Sequence, residues 1–392
     1  MLTSLALIFL LGLIMGRVFE KLKLPGLLGM IITGMILSPY AFNLLDPIIL
    51  DISADLRQVA LIIILTRAGL SLDINELKKV GRPAILMSFL PACFEIIAVV
   101  LFAPKVLGIT ILEAAIMGSV IAAVSPAVIV PRMIKLIKER YGRKNSIPQL
   151  IMAAASVDDI FVIILFTVFT SLAMGDSISP LNFLQIPTSI ILGIIVGIIV
   201  GLLLTKLFRK LRIRDTNKII IILSVSFLLL ELEKSLKGII AISALLSIMV
   251  LGIIIARKNL KLADRLSSKY NKLWLGAEIL LFVLVGATVD LNYAFKAGLP
   301  TIFIVFVALT SRMIGVYVSL LKTKFTKKEK LFCIIAYTPK ATVQAAIGAI
   351  PLTMGLACGQ DVLIVAVLSI LITAPFGAIG IDRLYNRLLK VE

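Results

Sequence analysis

Runs of roughly twenty mostly apolar residues recur from one end of this chain to the other, each long enough for a helix to cross a bilayer. Thirteen are placed, centred near residues 9, 33, 63, 92, 123, 160, 195, 225, 247, 281, 310, 343 and 373. Backbone polar groups have no water to bond in hydrocarbon, and a helix satisfies them within its own segment. With 60% hydrophobic residues and a mean hydropathy of +1.10, the expected fold class is an all-α polytopic membrane protein. The first run lacks a basic leader and a small-residue cleavage site, so it reads as a span and not as a signal peptide.

A net charge of +18 raises nucleic acid as a partner, but its distribution argues against that. Let the first loop, RVFEKLKLP, be cytoplasmic, and let the sides alternate from there. Of 40 Lys and Arg, only Arg57, Lys105, Lys234, Lys237 and Lys296 then fall in opposite-side loops, and Arg67, Arg312 and Lys340 fall within spans. The remaining 32 lie in cytoplasmic loops and the C-terminal tail. Such asymmetry orients spans in a membrane. It predicts an odd number of spans, with the N-terminus outside and the C-terminus cytoplasmic; the expected location is a plasma membrane. The expected partners are the lipid bilayer and small ions. The loops are too short for a soluble catalytic domain, so no enzyme is expected. The chain has no His, and Cys93, Cys333 and Cys358 lack metal-site spacing, so no cofactor or transition metal is expected.

LSLDINELKKVGRPAI (Leu70 to Ile85) aligns with ATVDLNYAFKAGLPTI (Ala287 to Ile302) at one fixed offset. Asp73, Asn75, Lys79, Gly81 and Pro83 match Asp290, Asn292, Lys296, Gly298 and Pro300. The first copy follows the third span and the second follows the tenth, so the two face opposite sides. That is the signature of an inverted repeat. The expected organisation is a single transporter domain: a first repeat over about 1–175, a linking helix over about 184–207 and an inverted second repeat over about 216–388. The same offset relates Glu95 to Arg312 and predicts an ion pair between them. The linking span, LGIIVGIIVGLLL, has GxxxG-type spacing that suits either helix packing or a dimer face.

Two spans carry prolines at corresponding depths: IAAVSPAVIVPRM, with Pro126 and Pro131, and IIAYTPKATVQAAIGAIP, with Pro339 before Lys340. Proline removes a donor and clashes with the preceding turn. A matched pair of interruptions near the midplane, at Pro126 and Pro339, predicts two broken helices whose freed backbone groups line an ion site.

Charges inside a bilayer are costly and are usually functional. Five lie well inside spans: Glu95, Asp158, Asp159, Arg312 and Lys340. Three negatives against two positives leave one carboxylate to be neutralised by a proton or a monovalent cation. Competition between the two for one site that faces alternate sides is cation/proton exchange. Asp158 and Asp159 are neighbours, about 100° apart around a helix, so one can meet a basic partner while the other meets the ion. Ser125 and Ser156 are the nearby hydroxyls, although membrane-helix hydroxyls more often bond their own backbone. A Na⁺-coupled symporter is the alternative, but it needs more polar groups for an organic solute than the spans contain. An intramembrane aspartyl protease would need its aspartates on separate helices.

VDDI, AVSPAVIVP, LTRAGLSLD and above all PKATVQAAIG resemble the monovalent cation/proton antiporter superfamily, most of all its NHA branch, the sodium/proton antiporters B. The resemblance covers essentially the whole chain. It implies a NhaA-like fold of about thirteen helices, with two broken helices crossing, and a homodimer. It also implies that Asp159 binds Na⁺ or Li⁺ in alternation with H⁺, while Asp158 pairs with a basic residue. Many relatives place a lysine on the span where this chain has Arg312, so Arg312 and Lys340 are both open as that partner. Because Arg stays charged, electroneutral exchange is the expectation. K⁺/H⁺ exchange is a related alternative.

Overall fold

The computed structural model describes residues 1–392 except 72–80, 175–179, 212, 237–241 and 392. Within helices, the side chains of 156, 180–187, 189–190, 291–292 and 294–297 also lie outside the described set. Asp73, Asn75 and Lys79 of the aligned stretch are therefore outside the described residues, as are the side chains of Ser156, Asn292 and Lys296.

The described secondary structure is helical apart from one isolated bridge, Tyr141 to Val391. The helices are α1 (Leu2–Lys21), α2 (Gly26–Leu37), α3 (Pro47–Asp51), α4 (Ser53–Ser71), α5 (Arg82–Met87) and α6 (Leu90–Leu107). There follow α7 (Ile111–Ile121), α8 (Pro126–Lys138), α9 (Ile147–Ala173), α10 (Pro180–Lys210), α11 (Asp215–Ser235) and α12 (Ala244–Lys258). The last six are α13 (Leu260–Ala287), α14 (Leu291–Ser319), α15 (Lys327–Ala336), α16 (Thr342–Ile347), α17 (Ile350–Thr353) and α18 (Gly359–Leu388). Among the described residues, eight stretches are long and apolar enough to cross a membrane. The other five expected centres, 33, 63, 225, 247 and 343, fall on α2, α4, α11, α12 and α16.

The chain forms two compact units. The first comprises Met1–Leu56, Ile74–Phe169 and Ile279–Glu392, and the second comprises Arg57–Asp73 and Thr170–Glu278.

In the first unit, α7 and α8 are one interrupted helix, and α15 and α16 are another. Each begins with a Thr-x-x-Glu capping box: Thr110 with Glu113, and Thr326 with Glu329. Each box satisfies two otherwise orphaned donors and fixes where its helix starts. Pro126 sits in the first turn of α8, where its missing N–H costs nothing, so it starts the second half-helix. Gly81 and Gly298 of the aligned stretch both adopt positive φ, +72° and +40°, with ψ of −149° and −132°. Only glycine adopts that backbone without strain, and at both positions it precedes a proline-containing helical turn.

Helices α6 and α14 pack closely, with Ser311 Oγ donating to the Phe94 carbonyl at 2.7 Å, a separation of 217 residues. Ser125 and Thr342, also 217 apart, bring their hydroxyls to 3.5 Å at the two interruptions. Beneath them α8, α9, α15 and α18 share a core that includes Met133, Ile151, Phe332 and Ile381.

In the second unit the glycine stripe of α10 is used for packing within the chain. A Cβ on Gly193 would lie 2.9 Å from the Ser243 carbonyl, and one on Gly197 would lie 2.6 Å from that of Ser247. Ser247 Oγ also donates to the Gly193 carbonyl at 2.9 Å. The close approach of α10 and α12 thus depends on the missing side chains. Gly197→Val is expected to lower stability by about 1–3 kcal/mol. Thermal unfolding of the purified protein in detergent measures this, and an unchanged midpoint would show that α10 and α12 can separate at no cost.

Candidate functional site

The five charges expected inside spans are all buried, and all belong to the first unit: Glu95 on α6, Asp158 and Asp159 on α9, Arg312 on α14 and Lys340 between α15 and α16. Four of them are joined. Arg312 Nη1 donates to Glu95 Oε2 at 3.1 Å, and Arg312 Nη2 donates to Asp158 Oδ2 at 2.7 Å. Lys340 Nζ pairs with the other oxygen of Glu95. The partner of Asp158 is therefore Arg312, and the partner of Lys340 is Glu95.

The same cations complete the broken helices. A helix end leaves carbonyls without donors and carries partial negative charge. At the end of α7, Lys340 Nζ reaches the Ile121 carbonyl and Arg312 Nη1 the Ala122 carbonyl. At the end of α15, Arg312 Nε donates to the Tyr337 carbonyl at 3.0 Å. The guanidinium also sits 5.0 Å from the Tyr337 ring centre, a cation–π distance. On the donor side, the Val124 N–H, in the break before α8, donates to Asp158 Oδ2 at 2.9 Å. The two breaks bond each other through the Ser125 N–H and the Pro339 carbonyl, 2.7 Å apart.

Several neutral residues that sequence reasoning did not single out hold this crossing. Gln344 Nε2 donates to the Ala123 carbonyl at 2.7 Å and to that of Ile121 at 3.3 Å. Thr373 on α18 accepts from the Lys340 N–H at 3.0 Å, and Tyr337 donates its hydroxyl to the Met87 carbonyl at 3.0 Å. Gln344 had a signal: it lies four residues after Lys340, one turn along an apolar run. Thr373 and Tyr337 had none, because their partners are backbone atoms distant in sequence.

Asp159 differs from its neighbour. It is only 8% exposed, and it has no hydrogen bond or ion pair among the described residues. Its Oδ1 is buried without a donor, as are Asp158 Oδ1 and Gln344 Oε1. Such acceptors are costly to leave unmatched. They are the right chemistry for a hard cation or a proton. Ser125 is buried at the crossing; the side chain of Ser156 lies outside the described residues. Cys333 and Cys358 are buried and Cys93 is half-buried, each a free thiol.

A family model described as sodium/hydrogen exchanger, transmembrane, matches residues 5–386. The chain belongs to the sodium/hydrogen exchanger family. Sodium/hydrogen exchanger 9B2 of Homo sapiens is 32% identical over 417 residues, covering 98% of this chain and 75% of that protein. Sodium/hydrogen exchanger 9B1 of Homo sapiens is 30% identical over 410 residues, covering 98% and 78%. Among solved structures, the sodium proton antiporter MjNhaP1 from Methanocaldococcus jannaschii shares the fold, with a TM-score of 0.83 over 98% of this chain and 97% of that one, at 19% identity. The exchanger is a multi-pass membrane transporter that carries Na⁺ against H⁺, and is not an enzyme.

Because Arg312 contacts two carboxylates and two helix-end carbonyls, it is the residue whose loss the exchanger should tolerate least. Arg312→Ala is expected to cost about 3–5 kcal/mol, the range for stripping one partner from a buried ion pair. Arg312→Lys keeps the charge but loses the fork that reaches three elements at once. It should fall between wild type and Arg312→Ala in folded yield and unfolding temperature. A wild-type melting curve for Arg312→Lys would show that charge alone suffices.

Proposed function

We propose that Asp159 is the group for which Na⁺ and H⁺ compete, and that Asp158 is a fixed member of the supporting network. One observation carries this reading: Asp159 is a buried carboxylate without a described partner, beside an Asp158 already held by Arg312 and the Val124 N–H. A buried carboxylate needs a countercharge or a proton. Na⁺ or Li⁺, as the cargo, supplies the one, and H⁺ supplies the other. The unmatched oxygens Asp158 Oδ1 and Gln344 Oε1 and the Ser125 and Ser156 hydroxyls are the further candidate ligands.

Alternating access follows if the empty carboxylate is too costly to move while either neutralised form moves freely. Arg312 stays charged throughout, and Lys340 is held by Glu95, so one proton is exchanged for each Na⁺ and the cycle is electroneutral. The two T-x-x-E starts, the matched glycines and the contacts 217 residues apart support an inverted repeat within a single transporter domain. The repeats then occupy about 1–175 and 216–388 and are joined by the helix over about 184–207. The basic loops support thirteen spans with the N-terminus outside and the C-terminus cytoplasmic, and the proposed location is a plasma membrane. A homodimer belongs to the same reading.

Proton release from acid-loaded proteoliposomes on adding Na⁺, Li⁺ or K⁺ tests the assignment. Asp159→Asn should abolish Na⁺-driven release while melting at or above the wild-type temperature, because it removes a buried charge that holds nothing. Asp158→Asn should melt lower. Flux that survives in Asp159→Asn would move the ion to Asp158. A transient current on a sodium jump across a solid-supported membrane would overturn electroneutrality.

A further inference from the structure

In the second unit, the ends of α10 and α12 and the starts of α11 and α13 line a cleft of about 430 Å³. Its polar lining is mostly cationic: Lys206, Arg209, Lys218, Lys258 and Arg265, with the neutral Thr205 and Asn259. One carboxylate, Asp215, serves two of these cations. It accepts from Lys218 at 2.9 Å and from Arg265 at 2.8 Å. Those hydrogen bonds, from Arg265 first, hold Asp215 down to about 2, so it is ionised at any physiological pH. Its single charge is already committed. Lys206, Arg209 and Lys258 have no ion-pair partner among the described residues, and all three are exposed. Three like charges that converge on one concavity repel each other and lack a counterion.

The apolar part of the lining says what kind of anion fits. Phe208 and Leu262 are buried in the wall, while Leu202 is 41% exposed. Leu202 continues a strip of exposed aliphatic side chains along α10 that includes Ile195, Ile199 and Leu203. The cationic cleft therefore opens onto a surface suited to an acyl chain. On the topology proposed above it lies at the cytoplasmic end of the helices. That is the side where basic pockets between helices meet anionic headgroups.

We propose that this cleft binds a phosphate-bearing anion, supplied by the headgroup of an anionic phospholipid whose chain lies along α10. Lys206, Arg209 and Lys258 are the groups assigned to the phosphate; Lys218 and Arg265 stay with Asp215 and shape the wall.

The test is native mass spectrometry of the delipidated full-length protein in detergent. It is titrated with phosphatidylglycerol, with phosphatidylcholine, and with inorganic phosphate as a competitor. Wild type should retain phosphatidylglycerol in preference to phosphatidylcholine. In Lys206→Gln/Arg209→Gln/Lys258→Gln that binding should weaken roughly a hundredfold, at about fivefold per basic group. Lys322→Gln/Lys324→Gln/Lys328→Gln removes the same charge from the loop before α15 and the start of that helix, and should bind as wild type does. Equal loss in both triple variants would mean diffuse attraction and overturn the site. So would equal retention of the two lipids, or undiminished binding in the cleft variant. Displacement of phosphatidylglycerol by millimolar inorganic phosphate would retain the phosphate chemistry and overturn the lipid as its source. Should the triple variant not fold, Arg209→Gln and Lys258→Gln are titrated singly. A loss of about fivefold in each supports the site, and no loss in either overturns it.

Discussion

Everything in the buried charge cluster depends on one guanidinium. Arg312 touches Glu95, Asp158, the Ala122 carbonyl and the Tyr337 carbonyl, and it stacks against the Tyr337 ring. Interrupting two helices in the middle of a hydrophobic layer leaves two carbonyl-rich ends facing the same small space. Without a cation between them, those ends would repel each other and the nearby carboxylates. A planar, permanently charged group with donors in a fixed fork neutralises all of these at once. A lysine ammonium is a point charge and serves fewer directions, which fits the narrower role of Lys340, held between Glu95 and the Ile121 carbonyl.

The breaks are held open as much by neutral groups as by ions. The Ser125 N–H bonds the Pro339 carbonyl, Gln344 bridges two carbonyls of the opposite break, and Thr373 takes the Lys340 N–H. Many of the backbone groups released by the interruptions thereby find partners inside protein, as non-helical backbone at membrane depth requires. Among the described residues at the crossing, the side-chain atoms left unmatched are the acceptors Asp158 Oδ1, Asp159 Oδ1 and Gln344 Oε1. An acceptor-only surplus selects for cations and protons and against anions, irrespective of the detailed coordination.

Much of this was legible in the chain, and the reasons differ by residue. Apolar runs mark the helices because membrane solvation leaves so little alternative. The fixed offset that aligns Gly81 with Gly298 also pointed from Glu95 to Arg312, on the expectation that equivalent positions of an inverted repeat meet, and the two side chains are 3.1 Å apart. The choice of partner for Asp158 was not legible. Arg312 and Lys340 sit on different elements at similar depth, and which of them reaches α9 depends on how the interruptions cross. Tyr337 and Thr373 were invisible for a related reason: they act through backbone partners, and backbone carries no residue code. The glycine spacing of α10 announced a close approach but not its partner, which is α12.

On the one-for-one stoichiometry proposed above, the permanent charge of Arg312 has a consequence for energetics at the scale of the cell. Moving one elementary charge through a membrane potential of 100 mV is worth roughly 2.3 kcal/mol. A one-for-one exchange forgoes that source altogether. Voltage then neither drives nor opposes the cycle, and at equilibrium the sodium ratio across the membrane equals the proton ratio. Such a carrier reads only concentrations, so a cell can collapse or invert its membrane potential without reversing the direction of sodium flow through it.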